Sequence, residues 1–595
     1  MIQKRKVTKC FNSVKRQTYT KLTDLHTVRW YSLTSIAAIE YKEIDWKKCI
    51  SDLRSKQAEI VRAYKYKSEN KKVSKLQNEL VRSFAARALA VRKVTTNSGK
   101  KTAGIDQIIW DTDEKKVAAI KKLSNLASYK ALPVKRIYIP KADGTPRPLG
   151  IPTMQDRAVQ TIWTFALDPI AEETSDTRSY GFRPYRGVHD CATYLHLLLS
   201  SKHNLRRYVL DADIKNFFSS VSHEWLVDNI PIDKKVLRQF IKAGFLEADQ
   251  FNSTDVGFPQ GGCISPLIAR MVLDGLEAKL GEEYRITRYA DDFVILGKSK
   301  NRLKKHALPI VQEFLKVRGL ELNLGKTNVR TVQQGFDFLG LHFREYEDPK
   351  RAKGTKKGIF LVTPSKQKIT DYKKKLSKIV KSSRSAPVAV LINTLNLSLR
   401  GWAEHYRAVT STKAFNNISR HVFIIVYKFL KHRYKGVPRR QIVQRHFTKI
   451  GNNRWVFCGK PLDGSNLAKK SEQALLFQIG YVKMKRHMVC KPLNMYDPAN
   501  YEYFEKRTAR TNVPDLNPKS LRSRLFKKQK GVCPVCQGAL NHEIDLEIHH
   551  KLAKSKGGKD SLRNLVLLHK ECHKQVTHTK NKKLIASFKA LDIIR

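Results

Sequence analysis

The sequence contains no run of roughly 18 or more uncharged apolar residues, the length that a membrane-spanning helix needs. Acidic residues are also scarce, with 53 Asp and Glu against 114 Lys and Arg and a formal net charge of +61. A packed protein with this much positive charge repels itself unless a polyanion neutralises it. These two absences exclude a membrane helix and indicate nucleic acid as the partner.

Cysteine is rare as well, with nine residues in a chain of 595. Their spacing excludes a disulfide framework, because three of them cluster near the C-terminus beside histidines and the other six are scattered: Cys10, Cys49, Cys191, Cys263, Cys458 and Cys490. This usage indicates a reduced compartment and one metal site. Hydrophobic residues make up 41% of the chain, enough for several packed domains.

The N-terminus has no acidic residue before Asp24 and seven basic residues among Ser and Thr. This composition is typical of an organellar transit peptide and equally of a basic arm that contacts RNA. We expect a bacterial cytoplasmic protein, with a chloroplast or mitochondrial location as the alternative.

Composition divides the chain into five segments. The prediction comprises a basic N-terminal extension (1–75), a mixed α/β region (76–345), a helical region (346–440), a basic, aromatic and irregular linker (441–525) and a compact Cys/His module (526–595). A continuous helical pattern runs from Val73 to Val94. A Lys-rich segment with two glycines, 350–358, marks the boundary that ends the α/β region.

Two strand-like segments carry acidic residues at their ends. Residues 208–221 place Asp211 and Asp213 at the end of an apolar strand, and residues 286–296 form a hairpin with Asp291 and Asp292 at its tip. Carboxylates at adjacent strand ends can hold two Mg²⁺ ions about 4 Å apart, as in-line nucleotidyl transfer requires. One ion activates the attacking 3′-hydroxyl and the other neutralises the leaving pyrophosphate.

The box Tyr289-Ala290-Asp291-Asp292, together with Asp213 and Phe217-Phe218, resembles the catalytic motifs of reverse transcriptases. The resemblance implies that Asp213 and Asp291 bind Mg²⁺ and that Asp292 is a supporting catalytic acid. It also implies that Phe218 is the steric gate that rejects a 2′-hydroxyl and so favours deoxynucleotides.

Further motifs resemble the nucleotide-binding elements of the same family. Residues 257–267 contain its Pro-Gln-Gly element with Gln260, and residues 139–152 resemble its fingers hairpin, in which Lys141 and Arg147 grip the triphosphate. Residues 179–184 and 336–340 are further landmarks. One departure is Gly325, where the family pattern has Glu before Lys-Thr.

The remaining polymerase motifs resemble those of group II intron proteins. Residues 95–106 resemble the N-terminal loop of non-retroviral enzymes, and residues 399–407 resemble the thumb element called domain X. We therefore expect Trp402, Tyr406 and Arg407 to contact an RNA–DNA duplex or a folded intron. The implied maturase role is to stabilise the catalytic fold of the intron.

The C-terminal module contains two short Cys/His pairs about 35 residues apart, the spacing of a tetrahedral zinc knuckle. The predicted structural Zn²⁺ ligands are Cys533, Cys536, His569 and Cys572. His569 occupies a place where the family more often has Cys. A purely structural zinc module is the alternative to an enzymatic one.

The histidines that the knuckle leaves over match the order of HNH endonucleases. By this resemblance His550 is the general base, and His549 and His573 hold one divalent ion against the scissile phosphate. Asn564 orients the loop that carries the base, and His578 is a further candidate ligand.

Together these motifs resemble a group II intron-encoded protein. The implied fold is a multidomain α/β protein: a right-hand polymerase with fingers and an antiparallel palm sheet, an α-helical thumb and a C-terminal ββα-metal HNH nuclease. The implied partners are group II intron RNA, target DNA, a template–primer duplex and deoxynucleotides, with no membrane and with a homodimer left open.

The implied function joins RNA-directed DNA polymerisation, intron splicing and nicking of the insertion site for intron homing. Two other hypotheses remain: an RNA-binding splicing factor with vestigial enzyme domains, and a stand-alone reverse transcriptase in defence. The intact Asp213, Asp291, Asp292 and His550 count against the first, and the thumb and HNH motifs count against the second.

Overall fold

The computed structural model describes residues 40–66, 70–140, 144–201, 203–347, 358–459, 474–511, 520–540 and 546–594. The basic arm before residue 40, the candidate triphosphate ligand Lys141 and most of the Lys-rich segment 350–358 lie outside these residues. Within them, no helix is long and apolar enough to cross a bilayer.

The described chain begins with four helices that form one bundle. They are α1 (Trp46–Lys65), α2 (Asn70–Arg82), α3 (Phe84–Thr96) and α4 (Asp113–Lys122). The single helix predicted from Val73 to Val94 is wrong, because Ser83 is extended and its side chain accepts a hydrogen bond from the backbone N–H of Ala86. A serine N-cap of this kind starts a new helix. α1 packs on α3, so the second half of the predicted N-terminal extension belongs to this bundle.

The region that follows alternates strands and helices, as predicted. Its elements are β1 (Val134–Pro140), β2 (Pro146–Ile151), α5 (Met154–Thr174), α6 (Val188–Ser200), β3 (Tyr208–Ala212), β4 (Ile214–Lys215), α7 (Phe217–Ser220), α8 (His223–Asn229), α9 (Lys234–Ile241), β5 (Phe245–Glu247), β6 (Gln250–Asn252), α10 (Ser265–Val272), α11 (Leu276–Leu280), β7 (Arg285–Tyr289), β8 (Asp292–Gly297), α12 (Lys300–Arg302), α13 (Leu308–Lys316), β9 (Glu321–Leu322) and β10 (Asn328–Thr331).

Two four-stranded sheets organise these elements. One has the order β2-β1-β5-β6 and contains the predicted fingers hairpin β1–β2. The other has the order β10-β3-β8-β7 and is antiparallel throughout, as predicted for a palm. Its strands β3 and β8 are largely buried, and their ends carry the acidic residues.

A buried cluster of charges joins α5 to the loop before α6 and to α10. The Glu172 carboxylate accepts hydrogen bonds from Arg183, Arg186 and Arg270, and Asp168 accepts a second bond from Arg270. The side chains of Glu172 and Arg270 have no solvent exposure. Such a cluster is stable only while every charge keeps its partner.

The predicted domain boundary at 345/346 cuts through a sheet and is wrong in that respect. β11 (Phe336–Phe338), β12 (Leu341–Tyr346) and β13 (Ile359–Pro364) form one antiparallel sheet. β13 pairs with β12 from Leu341↔Pro364 to Tyr346↔Ile359. The Lys-rich segment connects two paired strands, because backbone hydrogen bonding outweighs the change in composition.

Beyond this sheet the chain is helical, as predicted for residues 365 to about 435. The elements are α14 (Lys366–Ser382), α15 (Val388–Tyr406), α16 (Thr412–Arg433), α17 (Arg439–His446), β14 (Phe447–Ile450), β15 (Asn453–Gly459) and β16 (Ala474–Leu475). The last three strands form a small sheet whose hairpin packs on α15 and α17.

The irregular basic region is docked on the polymerase. Its Asn494 side chain donates hydrogen bonds to Pro169 O and Glu173, and Tyr496 donates one to Asp168. On α18 (Tyr501–Thr511), Arg507 forms a buried ion pair with Asp190 at 2.7 Å.

The C-terminal module has the ββα arrangement that was predicted. Its elements are α19 (Leu521–Lys528), β17 (Leu546–His550), β18 (Leu565–His569), α20 (Lys570–His578) and α21 (Lys582–Ala590). β17 and β18 are antiparallel, and α20 packs on both. Its buried residues belong to the same hydrophobic cluster as the N-terminal helices, so the two ends of the described chain share a core.

Candidate active sites

Three acidic residues of the palm, Asp211, Asp213 and Asp292, line one cavity. β3 pairs with β8 through Asp211↔Val294 and Ala212↔Phe293, a register that leads to Asp213 and Asp292 at the next positions. Asp291 lies in the turn between β7 and β8. The cavity measures about 330 Å³ and its lining includes Asp211, Asp213, Asp292, Lys326 and Asp337.

The turn that carries Asp291 is held by a close backbone approach. Ala290 has a φ of 57°, in the left-handed region that few side chains adopt. Gly181 lies directly against it, since a Cβ atom at this position would be 2.1 Å from Ala290 N. The landmark motif at 179–184 therefore needs its glycine in order to pack on the turn that carries Asp291.

The electrostatics of the cavity favour a bound cation. Desolvation raises the pKa of Asp292 to about 6, and the neighbouring carboxylates add to the rise. Desolvation also raises the pKa of Asp211 to about 6, opposed by Arg330. The pKa of Asp291 is raised by desolvation and by Asp213. Crowded carboxylates that resist ionisation in isolation are a donor set that fits divalent metal ions.

Gly325, the residue that departs from the family pattern, lies in a turn that positions Asp213. Asn323 N donates a hydrogen bond to Asp213 O at 2.8 Å, and Lys326 Nζ lies 3.2 Å from the Asp213 carboxylate. A Cβ atom at Gly325 would meet only Asn323 Oδ1, at 3.6 Å. Packing therefore does not require glycine here, and the departure leaves the turn intact. Lys326 had no role in the sequence-based prediction.

The predicted nucleotide-binding residues lie between the fingers hairpin and the palm. Arg147 Nε donates a hydrogen bond to the Gln260 side chain at 2.9 Å, and Gly150 N donates one to Gln260 O. Phe218 is half-buried and lines a second cavity of about 330 Å³ together with Gln260, whereas Phe217 is buried in the core. The structure thus brings three of the four predicted residues together, and the fourth, Lys141, lies outside the described residues.

Burial argues against the predicted duplex contact of Tyr406, whereas Trp402 is partly buried and its contact stays a prediction. Tyr406 is only 5% exposed, and Trp402 stacks on Tyr372 with ring centroids 4.8 Å apart. Tyr406 belongs to the core between α14, α15 and α16 and Trp402 packs against it, because the aromatic face of the amphipathic helix is its apolar face. Arg407 is partly exposed and pairs with Glu404, and its contact with a duplex remains a prediction.

The HNH histidines are distributed over β17 and α20. The rings of His549 and His573 lie 5.1 Å apart, and His549 Nε2 is buried without a hydrogen-bond partner among the described residues. Burial and the two neighbouring histidines lower the pKa of His549 to about 4, so the ring is neutral and able to bind metal. Glu547 lies 2.6 Å from His573 Nδ1 and orients that ring.

The general-base candidate and its loop are held by side-chain hydrogen bonds. His550 Nε2 lies 2.7 Å from Asp560 Oδ1. Asn564 accepts from Leu552 N and donates to the carbonyl groups of Leu552 and Lys559. These bonds close the loop between β17 and β18, and the role of Asn564 in orienting the base remains a prediction. Sequence reasoning missed Glu547, although residues 547 and 549 share one face of the strand.

The four predicted zinc ligands converge. The ligand atoms of Cys533, Cys536, His569 and Cys572 all lie within 4.8 Å of one another, and all four residues are buried. His569 faces the cluster with Nδ1, 3.4 Å from Cys536 Sγ, while its Nε2 lies 3.1 Å from Ala539 O. Three thiols and one imidazole in this arrangement fit a structural Zn²⁺ ion.

Comparison with known families matches four parts of the chain in order. Residues 41–123 match the N-terminal domain of reverse transcriptase, and residues 139–343 match reverse transcriptase (RNA-dependent DNA polymerase). Residues 369–447 match the group II intron, maturase-specific domain, and residues 533–579 match HNH endonuclease. The fold and the sites therefore define a reverse transcriptase that carries an HNH DNA endonuclease.

Individual relatives extend this assignment over most of the chain. Protein YkfC of Escherichia coli is 32% identical over 302 residues, which cover 42% of this chain and 78% of that protein. The group II intron-encoded protein LtrA of Lactococcus lactis is 24% identical over 601 residues, covering 82% and 93%. Maturase-like protein 1 of Euglena gracilis is 24% identical over 374 residues, covering 62% and 77%. The chain belongs to the group II intron-encoded proteins and combines reverse transcriptase, maturase and HNH endonuclease domains.

Proposed function

We propose that this protein performs target-primed reverse transcription of its own intron. The nuclease nicks one strand of the target DNA, and the polymerase extends the new 3′ end while it copies the intron RNA. The observation that carries the proposal is the proximity of Asp213, Asp291 and Asp292, whose carboxylates interact with one another at one edge of the palm sheet. The nuclease step is supported by the contact of His549 with His573 and of His550 with Asp560.

In the polymerase, Asp213 and Asp291 are the proposed Mg²⁺ ligands, with Asp292 as the supporting acid. When bound, two Mg²⁺ ions would supply the positive charge that the attacking hydroxyl and the leaving pyrophosphate require. Lys326 lies beside Asp213 and offsets part of the negative charge of the cavity. Arg147 and Gln260 hold the nucleotide, and the Phe218 ring lies under the sugar and excludes a 2′-hydroxyl.

In the nuclease, His550 is the proposed general base that takes a proton from water. His549 and His573 hold a divalent ion, which when bound would supply positive charge to the scissile phosphate. Asn564 keeps the loop closed and thereby sets the orientation of His550. Cys533, Cys536, His569 and Cys572 hold a structural Zn²⁺ ion that fastens β18 and α20 to the preceding knuckle.

The proposed partners are the intron RNA, the target DNA and the template–primer duplex. Support comes from the net charge of +61 and from the maturase-specific domain at 369–447. With the Tyr406 ring buried in the thumb core, we assign RNA and duplex binding mainly to the basic residues of the thumb surface, the partly exposed Arg407 among them.

We propose revised domain limits that follow the packing. The N-terminal reverse transcriptase helices begin near residue 40, and the palm extends to Pro364 because β13 pairs with β12. The nuclease begins at α19, since Leu525 and Phe526 are buried and Arg522 donates a hydrogen bond to Leu546 O. The predicted limit at 525/526 falls within this helix.

Primer extension tests the polymerase. A DNA primer annealed to RNA is incubated with deoxynucleotides and Mg²⁺ and with the wild type, Asp291→Ala or the control Asp228→Ala, which removes an exposed carboxylate on α8. We expect extension by the wild type and the control only. Binding of RNA by the wild type without addition of nucleotides would refute the polymerase and favour a splicing factor with vestigial enzymes.

A nicking assay tests the nuclease separately. His550→Ala abolishes nicking of a DNA that contains the intron insertion site, whereas the exposed thumb residue His432 tolerates the same change. Primer extension by His550→Ala stays at the wild-type rate, because the substitution leaves the palm unchanged. Equal nicking by both variants would remove His550 from the reaction.

A further inference from the structure

A cationic side chain from the N-terminal helices lies against the zinc knuckle of the nuclease. Arg92, on α3, places Nη2 3.0 Å from Cys572 Sγ and 4.0 Å from Cys536 Sγ. Its guanidinium lies over the Trp46 ring at 4.6 Å, and Trp46 itself is only 3% exposed. The cation therefore comes from outside the nuclease, and its contact joins two segments that are 480 positions apart in the chain.

The charge of Arg92 requires a negative partner at this place. No acidic side chain among the described residues forms an ion pair with it, and its Nη1 atom is buried without a hydrogen-bond partner there. A buried guanidinium without an anion is costly. A Zn²⁺ ion held by three thiolates and one neutral imidazole has a net negative charge, because three thiolate charges exceed the two charges of the metal. Such a cluster is the anion that the position of Arg92 demands.

A second contact joins the same two regions, and here the nuclease supplies the hydrogen-bond donor. Gln575 lies on α20, one turn after Cys572, and its side-chain amide donates hydrogen bonds to Lys42 O at 2.9 Å and Ile44 O at 2.8 Å. Gln575 is 3% exposed, so water does not replace these bonds easily. The helix that supplies the fourth zinc ligand is therefore tied to the start of the reverse transcriptase.

We propose that Arg92 is the outer-sphere counter-ion of the zinc–thiolate cluster, and that zinc occupancy thereby locks the nuclease to the N-terminal helices of the polymerase. The inference rests on the proposed zinc site. Loss of the metal would remove both the fold of the knuckle and the anion that holds Arg92. The nuclease would then lose its fixed position beside the polymerase, although the palm would keep its own core.

Zinc release from the full-length protein tests the role of Arg92. Purified wild type, Arg92→Met and Arg92→Lys are mixed with a chromogenic zinc chelator. The control is Arg87→Met. Arg87 lies on the same helix, and its buried guanidinium donates hydrogen bonds to backbone carbonyls away from the zinc ligands. Loss of one charge-assisted hydrogen bond corresponds to about a tenfold change in the equilibrium constant for zinc binding. We expect this change in the rate at which zinc dissociates. We expect about tenfold faster release from Arg92→Met, an intermediate rate from Arg92→Lys and little change in the control.

The outcomes separate the inference from the site on which it rests. A wild-type protein purified without zinc refutes the zinc site itself. Zinc that leaves Arg92→Met at the wild-type rate, or that leaves Arg87→Met equally fast, refutes the role of Arg92 while the zinc site stands.

Hydrogen exchange in the wild type tests, without any substitution, whether zinc fixes the nuclease to the N-terminal helices. Removal of zinc should increase deuterium uptake in peptides that cover 41–46 and 84–96, because their contacts with α20 and the knuckle are lost. Peptides from β3 and β8 should be unaffected. Unchanged deuterium uptake in both N-terminal peptides after complete zinc removal would refute the zinc-dependent attachment of the nuclease, even if Arg92→Met failed to fold.

Discussion

The buried charge cluster around Glu172 can be disrupted by Glu172→Gln, which removes one charge and keeps the size of the side chain. The Glu172 carboxylate is fully buried and accepts hydrogen bonds from Arg183, Arg186 and Arg270. In the variant, Arg183 and Arg186 lose their carboxylate partner, and Arg270 keeps only Asp168. Removal of one partner from a buried ion pair costs about 3–5 kcal/mol, because the remaining charges stay uncompensated.

Thermal unfolding measures this loss. Each kcal/mol corresponds to about 2–4 °C for a domain of about 150–250 residues, so the transition of the polymerase domain should fall by about 6–20 °C. Asp228→Asn, at an exposed position, is the matched control and should shift the transition by little. A Tm for Glu172→Gln equal to that of the control would refute the argument that the cluster stabilises the domain.

The same substitution should reduce catalysis at a distance. Arg183 also donates hydrogen bonds to Asp176 O and Ser179 O, which hold the loop that packs Gly181 against the turn of Asp291. We expect a lower kcat for primer extension below the melting transition, with little change in KM for the nucleotide. A change confined to KM would contradict this route.

The pH dependence of this stability has a definite sign. Burial alone would raise the pKa of Glu172, but the guanidiniums outweigh it and hold the pKa below the ordinary value of 4.5. A depressed carboxylate pKa stabilises the folded state above the unfolded pKa and loses that contribution as the pH falls through the folded pKa. The difference between wild type and Glu172→Gln should therefore shrink below about pH 4.5 and persist at neutral pH.

Three further predictions concern the gate, the metal site and the thumb. Phe218→Ala should relax discrimination between matched deoxy- and ribonucleotides by about 10–200-fold, the range for exclusion of one small group, and an unchanged ratio of kcat/KM would remove Phe218 from the gate. The pKa of Asp292 is raised to about 6, so protons compete with Mg²⁺ for its carboxylate near that pH. The Mg²⁺ concentration for half-maximal thermal stabilisation should therefore rise as the pH falls through about 6. A concentration that does not change with pH would contradict the argument from crowded carboxylates. Tyr406→Ala should destabilise the thumb by about 3–5 kcal/mol while Tyr406→Phe keeps duplex affinity, and weaker duplex binding by a stable Tyr406→Phe would overturn its assignment to the core.

Local sequence was sufficient to predict the elements that carry the chemistry. The hairpin with Asp291 and Asp292 at its tip follows from apolar arms on either side of two acidic residues, and the Cys/His cluster follows from the short spacing within its two Cys/His pairs. The helical character of residues 365 to about 435 follows from apolar periodicity. In each case the residues that specify the element are neighbours in the chain, so their pattern is legible without knowledge of the fold.

Packing between distant segments decided the rest. The sequence could not indicate which face of α15 the Trp402 ring occupies, that β13 returns across the Lys-rich segment to pair with β12, or that Lys326 lies beside Asp213. Arg92 is the clearest case, since it reads as one more basic residue among 114 Lys and Arg. Its partner Cys572 is 480 positions away in the chain. Composition and spacing describe only near neighbours, whereas the partner of a buried charge is chosen by the tertiary structure that removes both from water.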